Sequence, residues 1–261
     1  MVSVAGIRKD LKGKADPVKA RLLRGFFKTG KGEYGEGDIF IGVTVPELRK
    51  IAKRHSTVSL DGIKELLSSG IHEERLVSLL ILIDKYSNGN ETERGEIFKF
   101  YINNLSGINN WDLVDISAPK IVGEHLMERD RKFLYRLAKS PNLWERRISI
   151  ISTLRFIRVG DFKDTFGIAH ILIDDRHDLM HKSLGWMLRE VGKLDMEAEE
   201  EFLRSHLRRI PRTSLRYAIE RFPWSKRAIY MRGANVTFVC KTPFQKDGNQ
   251  TAQIVVFGCG Q

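Results

Sequence analysis

The strongest constraint on this chain is a repeat. Apolar residues recur at the 3.6-residue period of a helix along nearly the whole sequence, and not at the period of two that a strand imposes. Pro17 and the following VKARLLRGFFKT read as one helix with proline in its first turn. A glycine-rich loop follows from Gly30 to Gly42, and a second helix starts near Pro46. One kind of helix then keeps returning: EERLVSLLILIDKY from Glu73, NWDLVDISAPKIVGEHL from Asn110, LWERRISIISTLRFI from Leu143, MHKSLGWMLREVGK from Met180 and TSLRYAIERF from Thr213. The starts lie roughly 33 to 37 residues apart, with another amphipathic helix between each pair. A helix pair of that length cannot bury its apolar face alone, but a stack of pairs can. The sequence therefore predicts an all-α solenoid of antiparallel helix pairs whose inner helices line one concave surface.

The pattern stops near Arg232. From Ala234 onward, NVTFVCKT and TAQIVVFG are β-branched or alternating, and they flank QKDGNQ with its turn-forming Asp-Gly. The division expected is residues 1–232 for the repeat domain and 233–261 for a tail, read as a β-hairpin or a disordered segment. Both cysteines, Cys240 and Cys259, fall in that tail. Two cysteines are too few for a disulfide framework, and the seven histidines offer only one i,i+4 pair, His177 and His181, with no CxxC to complete a ligand set, so no metal or cofactor is expected. The first residues lack the apolar core of a signal peptide, and the longest apolar run, around Leu79 to Ile83, is too short to span a bilayer. A cytoplasmic monomer is expected, associated with the nucleoid if the source is prokaryotic.

Charge selects the partner. Forty-four Lys and Arg stand against 33 Asp and Glu, a formal surplus of +11. Such a surplus favours a polyanion, with nucleic acid ahead of an acidic membrane because acids are interspersed throughout.

Within the repeats a few residues stand out. Trp111 and Asp115 are four apart and share a helix face, while Asp112 points elsewhere and sits in the first turn after the N-cap Asn110, where a carboxylate favours the helix dipole. By spacing alone, Trp111 and Asp115 also fit a core tryptophan beside a salt-bridged carboxylate. Pro119 is expected to kink or end that helix. Arg146 and Arg147 follow Trp144 one repeat later, and Trp186 lies one repeat further. Trp111, Arg147 and Trp186 hold similar positions in three successive repeats, which stacks them along one inner surface. Gly30 to Gly35 fits the spacing GxGxxG, but a helix precedes it where a dinucleotide fingerprint requires a strand, so it reads as a basic loop.

Four segments, FFKTGKGEYGEGDIFIGVTVPELRKIAK, NNWDLVDISAPKIVG, LWERRISIISTLRFI and HKSLGWMLREVGK, resemble the AlkD-type DNA alkylation repair glycosylases. The resemblance runs from about Val18 to Arg232, in the family's order. It implies a HEAT-like α-solenoid, C-shaped with a basic concave face, and excision of N3- and N7-alkylated purines from double-stranded DNA. It places the family's catalytic aspartate on Asp115, its tryptophans on Trp111 and Trp186, and its arginine on Arg147. Arg147, with Arg146 and Lys182 beside it, is expected to hold phosphates. A non-catalytic HEAT-like scaffold that binds nucleic acid or protein is the alternative. The carboxylate at Asp115 separates the two, because a pure DNA binder gains nothing from it.

Overall fold

The computed structural model describes residues 3–232, and the expected hairpin or tail of residues 233–261 lies outside them. The described chain is a HEAT-like α-solenoid. Its helices are α1 Val4–Lys12, α2 Pro17–Phe26, α3 Val45–Arg54, α4 Leu60–Leu67, α5 His72–Asn88, α6 Glu91–Asn103, α7 Trp111–Ala118, α8 Lys132–Ala138, α9 Leu143–Ser152, α10 Leu154–Ile157, α11 Lys163–Leu172, α12 Asp178–Gly192, α13 Met196–His206, α14 Arg212–Ala218 and α15 Trp224–Arg232. Among the described residues no helix is long and apolar enough to cross a membrane.

The repeat seen in the sequence is the layering. Helices α5, α7, α9, α12 and α14 stack one on the next as an inner row. Outer partners pack against this row, such as α4 on α5, α8 on α9 and α13 on α12. The apolar face of α5 is buried almost all round, from Leu76 to Tyr86, because α3, α4, α6 and α7 all pack on it. A buried leucine or isoleucine contributes roughly 1.5–3 kcal/mol relative to exposure, so this helix anchors the array.

Local chemistry fixes where the helices begin. Asn110 caps α7 through its side-chain oxygen, which accepts from the Trp111 N–H at 2.8 Å. Asn142 does the same for α9, accepting from Trp144 and Glu145. Asn90 and Glu93 form a reciprocal capping box on α6. Pro119 ends the regular part of α7, as its missing N–H requires, yet the chain does not break. It continues through one π-helical turn, Pro119–Gly123.

The loop between α2 and α3 is pinned to the start of α5. Ile39 and Ile71 pair as an isolated parallel bridge, with Ile39 N–H donating to Gly70 and His72 N–H to Ile39. The buried Glu73 carboxylate then accepts from the N–H groups of Ile41, Gly42 and Val43 at 2.7–3.3 Å. Gly42 has φ +84°, and a Cβ there would lie 2.1 Å from the Asp16 carbonyl, so only glycine fits where this loop crosses α2.

Candidate active site

The first turns of α7 and α9 and the first half of α12 open onto one cleft of about 740 Å³, closed on the other side by the α2–α3 loop. Trp111, Asp115, Arg147, Lys182 and Trp186 all line it. The register argument thus places side chains from three repeats around a single space.

Asp115 sits on the floor. Arg147 holds its carboxylate in a fork, Nε to Oδ1 at 2.9 Å and Nη2 to Oδ2 at 2.8 Å. The third arm of the guanidinium, Nη1, donates to the Leu179 carbonyl at the start of α12, at 2.6 Å. Arg147 is only 4% exposed. Its donors are therefore spent inside the protein, and the expectation that it grips a phosphate gives way to a different geometry: it orients the aspartate. Burial pushes the Asp115 carboxyl above its ordinary range, Arg147 pulls it back down, and Asp112 adds a further push upward.

Arg146 is not in the cleft wall. Its Nε pairs with Asp175 at 2.6 Å and its Nη1 donates to the carbonyls of Ser140 and Pro141. Those bonds tie α9 to the loop before α12, which leaves no free fork for a phosphate. Lys182 does face the cleft, paired with Asp178 one turn earlier at 2.7 Å.

The two tryptophans are fixed by unlike means. Trp111 stacks on Phe27, with centroids 5.2 Å apart and planes 13° from parallel, and meets the edge of Phe26. Trp186 donates its indole N–H to Glu190 one turn on, at 2.9 Å. Both rings are half-buried, which leaves part of each facing the cleft.

Several cleft residues had no signal in the repeat pattern. Tyr34 reaches in from the glycine-rich loop and meets the edge of Trp144. Burial raises its phenol. Lys28 sits beside it with φ +52°, a left-handed backbone rarely taken by a lysine. Arg176, His177 and Tyr217 complete the far side. The aromatic within GKGEYGEG was the one available hint for Tyr34. Nothing in the spacing pointed to the others.

Asp112 also proves to be more than a first-turn charge. Its Oδ2 bonds His72 Nε2 at 2.8 Å, and that ring's Nδ1 bonds Asp38 Oδ2 at 3.1 Å. Asp38 accepts in addition from Arg75 and Asn110.

The family model for the DNA alkylation repair enzyme matches residues 7–222. Among solved structures, the chain is similar to a predicted DNA alkylation repair enzyme from Enterococcus faecalis, at 15% identity and a TM-score of 0.62, over 81% of this chain and 98% of that one. That likeness is one of fold. No curated protein matches.

Proposed function

This chain belongs to the DNA alkylation repair enzyme family, and on that premise we propose that it is a DNA glycosylase that hydrolyses the N-glycosidic bond of N3- and N7-alkylated purines in double-stranded DNA. The observation that carries the reading is the Asp115 carboxylate, held in a fork by Arg147 on the floor of a cleft walled by Trp111 and Trp186.

The chemistry suits so sparse a site. A purine alkylated at N3 or N7 is cationic and already a good leaving group, so no acid is needed to protonate it. As the bond from C1′ to the base nitrogen lengthens, positive charge builds on the deoxyribose. A carboxylate beside the sugar stabilises that charge and orients a water onto C1′, whose proton it accepts as the C–O bond forms. The base leaves with the electron pair of the broken bond. Unit charges about 4 Å apart at an effective dielectric near 20 attract by about 4 kcal/mol. Arg147 offsets part of that attraction, so the net help lies below this figure, and what Arg147 returns is a carboxylate that is ionised and aimed. The tryptophan faces add cation–π attraction of about 0.5–2 kcal/mol.

The test is direct. The protein is incubated with duplex DNA carrying N7-methylguanine or N3-methyladenine, and free base is separated and measured. Release that depends on the Asp115 carboxylate supports the reading. DNA binding without release favours the non-catalytic scaffold instead.

A further inference from the structure

Two segments that wall the cleft, the α2–α3 loop and α7, meet at one buried ring. His72, the first residue of α5, is 2% exposed. Its Nδ1 faces Asp38 on the α2–α3 loop and its Nε2 faces Asp112 in the first turn of α7. The ring stacks on Phe40, with centroids 4.4 Å apart, and packs against Phe27, which itself stacks on Trp111. An ionised carboxylate only accepts hydrogen bonds, and a neutral imidazole carries a single N–H. The ring therefore bonds both carboxylates at once only when both nitrogens donate, which is the imidazolium.

We propose that His72 is a positioning residue: as an imidazolium it ties the loop that carries Tyr34 to the helix that carries Trp111 and Asp115, and so sets how the two walls of the cleft face each other. The tie itself follows from the contacts, and its consequence for base excision rests on the glycosylase reading above. The charged groups around the ring are Asp38 from the loop, Asp112 from α7 and Arg75 from its own helix, with Lys19 of α2 and Glu73 lining the apolar pocket beside it. Burial works against the charged ring, but the bonds to Asp112 and Asp38 outweigh it and raise its pKa above the ordinary 6.5. The tie is thus complete below that ordinary value and is lost as pH rises through the raised one. Losing the proton leaves one nitrogen lone pair facing a carboxylate, so that link between the two walls is lost while Arg75 and Asn110 still hold Asp38.

Asp112→Asn separates this role from simple packing. An asparagine amide donates to Nε2 of a neutral ring, whose Nδ1–H still donates to Asp38, so both bonds persist without the charge. The full chain is titrated from about pH 6 to pH 9 while the His72 ring nitrogens and the Trp111 indole N–H are followed by NMR. In the wild type the Trp111 signal is expected to move with the His72 titration. In Asp112→Asn it stays still over the same range, and Asp38→Asn is the mirror variant should that protein fold poorly. Single-turnover excision of N7-methylguanine at saturating enzyme should fall on the alkaline side with the His72 midpoint in the wild type and lose that limb in Asp112→Asn, while DNA affinity is unchanged. A Trp111 signal in the wild type that ignores the His72 titration overturns the proposal, as does an alkaline midpoint shared by both proteins. If Trp111 follows His72 and no protein releases base, the tie stands and the glycosylase reading is what fails.

Discussion

Arg147 and Asp115 close a two-bond fork across the gap between α9 and α7, with 2.9 Å and 2.8 Å between donor and acceptor atoms. Neither helix alone determines where the carboxylate points. Its direction comes from two repeats at once, with a third repeat, through the Leu179 carbonyl, holding the arginine. The catalytic proposal and the stability of the stack therefore share the same atoms.

Asp115→Asn is expected to lower excision of N7-methylguanine by roughly a hundredfold or more, the scale for losing a preorganised electrostatic partner. The amide oxygen keeps one arm of the fork, while its NH₂ faces the guanidinium, so the fold should lose about 1–2 kcal/mol. Single-turnover rates and thermal unfolding measure the two effects separately. Asp130→Asn, exposed and paired among the described residues only with Lys132, is the matched control. Full excision by the Asp115 variant would remove the aspartate from the mechanism.

The same pair predicts a pH profile. Burial raises the Asp115 pKa above 3.8, so its carboxylate fills only as pH climbs through that raised value, and excision should rise with it on the acid side. Arg147→Ala removes the influence that lowers this pKa, which moves the acid limb to higher pH. Because the guanidinium is buried, DNA affinity should change less than about tenfold. A large loss of affinity with an unmoved acid limb would restore the phosphate-binding role that the sequence suggested for Arg147.

The fold was legible because solenoid stacking writes itself into the chain at a fixed interval, as in the recurrence from Glu73 to Thr213. The start of α7 was legible for a local reason, since Asn110 caps it through its own side chain. The shared cleft of Trp111, Asp115, Arg147 and Trp186 followed from register. What register cannot show is which donors are already taken. Arg146 and Arg147 are adjacent cations in the sequence, but one is spent on Asp175 and the other on Asp115, partners about thirty residues away. His72 and Asp38 were silent because their meaning depends on a loop folding back onto α5, and a loop carries no period.

Affinity for undamaged duplex DNA should depend steeply on salt. Arg49, Lys53 and Lys120 line a groove between α3, α5 and the turn after α7. Burial lowers the Lys120 pKa, and repulsion from Arg49 and Arg158 lowers it further, the mark of cations crowded together. Replacing Lys120 and Arg158 with glutamine should reduce the slope of log affinity against log salt by about 0.9 per lost phosphate contact. Excision from fully bound complexes should stay unchanged. An unaltered slope would place the DNA elsewhere on the surface.

A last prediction concerns Glu199 on α13, which the proposed chemistry does not use. It is 2% exposed, its Oε1 has no partner among the described residues, and its carboxyl packs so tightly on α12 that a Cβ at Gly192 would overlap it. Burial and the neighbouring Glu200 push its pKa up from 4.5 to about 8, against the pull of Arg189 and Lys226. A folded-state pKa above the unfolded one means the folded protein holds the extra proton between those two values. Stability then declines as pH rises across that window, by up to about 1.4 kcal/mol per unit, and levels off above it. Glu199→Gln mimics the protonated acid at every pH and has nothing to titrate. The variant should match the wild type near pH 4.5, gain on it steadily to about pH 8, and hold a constant lead beyond. Urea unfolding at a series of pH values reads the difference directly, since effects of other titrating groups cancel between the two proteins. Parallel stability curves over that whole range would mean that Glu199 is ionised in the fold and finds a partner there.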